Sequence, residues 1–106
     1  MALAARKHNG MSVVVVNGPR LDAACAETFK NDLKELIDAG ERRLILDFEH
    51  IQFMDSSGLG AVVGCLKYMG SNGTIEIAAP SDAVMKVLKL TRMNKVFTIH
   101  DTPPGP

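Results

Sequence analysis

Leu44-Ile45-Leu46-Asp47-Phe48, followed shortly by Met54-Asp55-Ser56-Ser57-Gly58-Leu59-Gly60, is the part of the chain on which the fold turns. The first run is short and aliphatic, as in a strand buried on both faces. The second opens an apolar pattern of helical spacing through Leu59, Val62, Val63, Leu66 and Met69. A strand that feeds a helix across a Gly-rich corner is the unit from which parallel sheets with crossover helices are built. The corner carries two adjacent hydroxyls, Ser56 and Ser57, at the end of a helix where backbone N–H groups are free and the macrodipole is positive. With Ser56 as N-cap or next to it, the N–H groups of Gly58 and Leu59 are expected to point at its side chain. A phosphate there is accepted locally by the helix terminus and is hard for a docked protein to ignore. The corner reads as a switch on a binding surface rather than as a catalytic centre.

Upstream, residues 3–8 form a candidate first strand, His8-Asn9-Gly10 a turn, and Met11 to Asn17 a β-branched strand ended by Gly18-Pro19. The two strands are expected to pair as an antiparallel hairpin. Asp22 is placed to cap a first helix whose apolar stripe is Cys25, Phe29, Leu33, Leu36 and Ile37, stopped at Gly40. Its charged residues, Lys30, Asp32, Lys34 and Glu35, read as a solvated face. Downstream, Gly70-Ser71-Asn72-Gly73 is a loop and Thr74 to Ala79 a strand closed by Pro80. Ser81 caps a third helix with Val84, Val87, Leu88 and Thr91 on its apolar face, and Val96 to Ile99 is a last strand. Gly60, Ala61 and Gly64 keep part of the second helix flat, either for close packing or for something approaching its outer face.

Alternation of strand and helix after residue 11 calls for parallel pairing with right-handed crossovers. The expectation is an α/β fold: one domain over residues 1–106, a four- or five-stranded mixed sheet, mostly parallel, and three main helices. The ordered core is expected over about 11–100, with a loose Pro-rich tail over 102–106.

Of the 106 residues, 46% are hydrophobic and none is Trp, so the core must be aliphatic. Twelve basic and twelve acidic side chains leave no excess charge to neutralise phosphates, which argues against nucleic acid or an anionic membrane as main partner. No apolar stretch approaches a membrane span and the N-terminus lacks a secretory pattern, so the expected location is the cytoplasm. His8, His50 and His100 lack metal-ligand spacing, and no cofactor or metal is expected. Cys25 and Cys65 fall at apolar helical positions and read as buried free thiols.

Three other readings of the serine corner carry less. A nucleophilic serine needs a base, and the sequence places neither His50 nor His100 beside Ser56; the Gly-x-Ser-x-Gly elbow is also absent. Ser57-Gly58-Leu59-Gly60 lacks the Gly-Lys-Ser/Thr ending of a phosphate-binding loop, and Lys67 comes a turn too late. A plain helix cap explains one serine but not a second, with an Asp before them and two glycines after.

Phe48 to Gly60, and above all Asp55-Ser56-Ser57-Gly58-Leu59-Gly60, resembles the signature of STAS-domain anti-sigma-factor antagonists. Gly18-Pro19-Arg20-Leu21-Asp22 is similar to that family's Gly-x-Leu-Asp segment, one residue longer, and Arg92 stands where a Gly is common. The resemblance covers about Met11 to His100. It implies a non-enzymatic partner-switching protein. The unphosphorylated form binds an anti-sigma factor that is also a serine kinase of the histidine-kinase-like ATPase type, which frees a sigma factor. Phosphorylation on Ser56 releases the complex, and a metal-dependent serine phosphatase resets it. The partner-binding residues implied are Asp22, Met54, Asp55, Ser56, Ser57, Gly58, Leu59 and Gly60. The alternative the same fold allows is a STAS scaffold or subunit of a stress-signalling or membrane-transport complex.

Overall fold

The computed structural model describes residues 3–105 of the chain. Strands β1 (Leu3–His8) and β2 (Met11–Val16) form the expected antiparallel hairpin. Asn9 and Gly10 turn it at positive φ, 48° and 82°, the geometry that matches the twist of a tight hairpin. Strands β4 (Arg43–Asp47), β6 (Thr74–Ala78) and β7 (Ile99–His100) then add in parallel, giving a five-stranded sheet in the order β1-β2-β4-β6-β7. The crossovers are helices α1 (Ala26–Asp38), α2 (Ser56–Met69) and α3 (Asp82–Leu90). The architecture is the mixed, mostly parallel α/β sheet with three helices that the sequence pattern calls for.

All three helices pack into one hydrophobic core, mostly aliphatic but with Phe29, Phe48 and Phe97 buried in it. Val14, Val16, Leu44, Leu46, Ile75 and Ile77 supply the sheet side. Phe29, Leu33 and Ile37 of α1, Val62, Cys65 and Met69 of α2, and Val84 and Leu88 of α3 supply the other. Both cysteines are free thiols; burial pushes that of Cys65 up to about 11, which leaves it inert at neutral pH. Cys25 is only half-buried.

Local chemistry moves several boundaries. Asp22 does not cap α1: the helix starts at Ala26 behind a turn, and Cys25 occupies the cap position without a side-chain bond. Helix α2 begins at Ser56, before the first apolar position, because Asp55 caps it. Ser81 caps α3 as expected, its Oγ accepting from the Val84 N–H at 3.3 Å. The last strand is reduced to Ile99–His100; Phe97 is a buried plug, and Val96 is 53% exposed. The tail over 102–106, expected to be loose, is described through Gly105, and there the Pro104 carbonyl accepts from Arg6 Nη2 at 2.7 Å. Pro106 and the first two residues lie outside the described residues.

Arg92, at the turn after α3, sits in the left-handed region at φ 61° and ψ 16°. A Cβ is disfavoured there, while glycine is not. Arg92→Gly is therefore expected to stabilise the chain by about 0.5–1 kcal/mol, after allowing for glycine's greater freedom when unfolded. A urea titration with unchanged slope checks it.

Among the described residues Glu76 is the one glutamate buried in the sheet, at 6% exposure. Arg43 donates to both of its oxygens at 2.7 and 3.0 Å, Thr74 Oγ1 donates at 3.0 Å, and His100 Nε2 lies 2.8 Å away. The Arg43 guanidinium, helped by His100 and Thr74 and opposed by burial, holds the carboxyl at about 2 against an ordinary 4.5. A depressed carboxylate stabilises the fold above its unfolded pKa and loses that contribution as pH falls through the folded one. About 3 kcal/mol should therefore disappear between roughly pH 4.5 and pH 2. Glu76→Gln is expected to flatten the stability profile in that window, measured by urea unfolding at a series of pH values.

Candidate functional site

A second, two-stranded sheet builds the corner, and no periodicity announces it. β3 (Arg20–Leu21) pairs in parallel with β5 (Phe53–Met54), Arg20 opposite Phe53 and Leu21 opposite Met54. The Pro19 carbonyl accepts from the N–H groups of both Gln52 (2.7 Å) and Phe53 (3.2 Å). The ladder sets Asp22 beside Asp55, although they are far apart in sequence.

Asp55 ties the corner together. Its Oδ1 accepts from the Gly58 N–H at 2.9 Å, capping α2, and its Oδ2 accepts from the Ala23 N–H at 3.4 Å. Its own N–H donates to the Leu21 carbonyl at 3.4 Å, and its carbonyl takes the Leu59 N–H at 3.0 Å. One short side chain therefore holds the start of α2 to the loop that leads into α1. The N–H groups of Gly58 and Leu59 are spent on Asp55 and do not point at the Ser56 hydroxyl, contrary to the sequence expectation.

Gly58 is where two backbones meet. A Cβ at this position would lie 2.1 Å from the Leu21 carbonyl oxygen, far inside contact distance. The glycine lets β3 rest directly on the first turn of α2. Gly60 differs: it is exposed, and a Cβ there would meet nothing within 4 Å. Packing does not demand this glycine.

Burial divides the expected partner-binding set. Ser56, Ser57 and Gly60 are exposed, and Asp22 and Asp55 are half-buried. Met54, Gly58 and Leu59 are buried, with Met54 3% and Leu59 8% exposed. These three form the floor that holds the exposed residues in place. Asp22 keeps a position on the surface even though it does not cap α1. Arg20 Nε donates to its Oδ2 at 2.9 Å and the Ala24 N–H to its Oδ1 at 3.1 Å. The Arg20 hydrogen bond holds this carboxyl below the usual range.

Sequence reasoning missed two groups at the corner. Arg20 lies over the Phe53 ring, 4.3 Å from its centroid, and Phe53 is 40% exposed. Only the β3–β5 register brings them together, so no local pattern could reveal the pair. On the other side of the serines, Ser57 and Gly60 line a hollow of about 260 Å³ with Glu27 and Lys30 of α1. Lys30 belongs to the helical face that reads as merely solvated, and Glu27 lies outside the residues that the sequence reading singled out.

The corner thus offers exposed hydroxyls, fixed carboxylates and a cation–aromatic pair. Among the described residues no group of three His, Cys, Asp or Glu side chains could hold a metal ion, and no helix is long and apolar enough to cross a membrane.

Comparison with known proteins agrees with this fold. A model of the STAS domain matches residues 2–104. The chain is 27% identical over 96 residues to the anti-sigma F factor antagonist of Paenibacillus polymyxa, covering 89% of this chain and 81% of that one. It is 26% identical over 85 residues to an anti-sigma-B factor antagonist of Staphylococcus aureus, covering 79% of each. The structure of the anti-sigma factor antagonist SpoIIAA in its unphosphorylated form superposes with a TM-score of 0.70 at 25% identity, over 95% of this chain and 89% of that chain. The chain belongs to the STAS domain family, and distant homologues within it are anti-sigma factor antagonists.

Proposed function

We propose that this protein is an anti-sigma-factor antagonist in a partner-switching pathway of the cytoplasm. Its unphosphorylated form binds an anti-sigma factor that is also a serine kinase of the histidine-kinase-like ATPase type, and a sigma factor is set free. The kinase phosphorylates Ser56, the complex dissociates, and a metal-dependent serine phosphatase restores the binding form. The chain acts by binding, not by catalysis.

The observation that carries this reading is the position of Ser56. It is exposed at the first position of α2, yet Asp55, not Ser56, caps that helix. Its hydroxyl is free to be modified without loss of the cap. The carboxylate of Asp55 already sits at the helix terminus, so its repulsion offsets what the terminus would give a phosphate on Ser56. A partner seated on the corner would have to bury about −1.5 to −2 charges. Named relatives that are anti-sigma factor antagonists support the partner class.

The test is incubation with candidate kinases of that type and Mg-ATP, followed by mass mapping. The expected result is one phosphate on Ser56 and none on the Ser56→Ala variant. Label confined to Ser57 contradicts the assignment. A transporter or a large self-assembly as the stoichiometric partner in a pull-down would favour the scaffold or subunit role instead.

A further inference from the structure

The sheet has a second face, turned away from the helices. Register places Arg6, Val13, Ile45 and Glu76 in one row across it. Val13 and Ile45 are 0% exposed, yet neither belongs to the core into which all three helices pack. Something other than a helix keeps water from them.

The chain leaves β7 at His100, on one edge of the sheet. By Pro104 it has reached Arg6 of β1, on the opposite edge, where the Arg6 guanidinium donates to the Pro104 carbonyl at 2.7 Å. Gly105 lies against the His8 ring; a Cβ there would be 2.5 Å from Nδ1, and its φ is +74°. Residues Asp101 to Gly105 therefore cross the whole sheet, transverse to its strands. Both ends are fastened by polar contacts: His100 to Glu76 at the start and Arg6 to Pro104 at the finish. Between them, Pro103 and Pro104 are half-buried. Proline suits such a crossing, since it is stiff and brings no N–H to be stranded over an apolar row.

We infer that Asp101–Gly105 is a strap that closes the helix-free face and can be unfastened. Seated, it covers Val13 and Ile45. Released, it opens an aliphatic strip on β2 and β4, a surface separate from the Ser56 corner. The occupant of that strip is the chain's own tail. This device does not depend on the partner-switching reading.

The test is methyl NMR of the full chain with a soluble gadolinium chelate, compared between the parent, Gly105→Val and Arg6→Met. In the parent, the Val13 and Ile45 methyls should be as shielded as those of Val14 and Leu46 on the helix side. In Gly105→Val, whose side chain collides with His8, their relaxation enhancement should rise several-fold while Val14 and Leu46 stay unchanged. Arg6→Met, which has no donor for the Pro104 carbonyl, removes one fastening without adding bulk, should give a rise of the same kind, and decides the matter if the bulkier variant does not fold. The inference is overturned if the parent's Val13 and Ile45 relax like the exposed Leu90, or if both remain shielded in every folded variant.

Discussion

Ser56→Asp is expected to weaken binding of the anti-sigma partner by at least about tenfold, and phosphate on Ser56 by at least about a hundredfold, with the fold intact. A charge buried in a fitted interface without a cation costs several kcal/mol, and each 1.4 kcal/mol is a factor of ten in affinity. Phosphate carries more charge than Asp, so its effect is the larger. Within the free domain two terms oppose each other. The α2 terminus favours a negative group by roughly 0.3–1 kcal/mol, and repulsion from Asp55 removes a similar amount. The thermal midpoint should then move by less than about 5 °C. Calorimetric titration and a circular-dichroism melt on the same samples separate the two effects. If Ser56→Asp unfolds the domain, the charge acts on the fold and the interface account is wrong.

Gly58→Ala is expected to destabilise the chain by about 3 kcal/mol, and helix propensity alone would predict the opposite sign. Alanine in a helix is favoured over glycine by about 1 kcal/mol. Here, however, the added Cβ would lie 2.1 Å from the Leu21 carbonyl, a backbone atom fixed by the β3–β5 pairing. Overpacking of a rigid site typically costs 1–3 kcal/mol or more, because the neighbour must move. Gly60→Ala, two residues on, supplies the contrast: with open space around it, it should be neutral or stabilising by up to about 1 kcal/mol. Urea unfolding of the pair checks both. Equal effects at the two positions would mean that the close approach of β3 to α2 is not formed in solution.

The main elements were legible because each carries its own period. The aliphatic run at 44–48 and the helical stripe from Leu59 to Met69 are local patterns, and their alternation implies the parallel sheet. The sequence also drew attention to Asp55 and Ser56 and placed Ser56 at the cap or next to it, where it lies, but it did not single out Asp55 as the cap. Asp and Ser are equally good caps, and only the backbone geometry chooses between them. Asp22 was misplaced for a related reason: its side chain, held by Arg20 and the Ala24 N–H, shapes the turn before α1 and not the helix end. The β3–β5 ladder was invisible. Two-residue strands have no period, yet this one brings Asp22 to Asp55 and stacks Arg20 on Phe53. The burial of Met54, Gly58 and Leu59 likewise follows from how α2 sits on the sheet and on β3, which spacing within the motif does not reveal.

The central claim is that a phosphate on one hydroxyl disrupts a complex and spares the fold. It is tested most directly by titrating the anti-sigma kinase with three forms of the chain: unmodified, phosphoserine installed at 56, and phosphoserine installed at 57. The account predicts tight binding of the unmodified form, no measurable binding of the 56 form, and matching thermal melts for those two. Equal affinity of the unmodified and 56 forms, or loss of binding only for the 57 form, would contradict it.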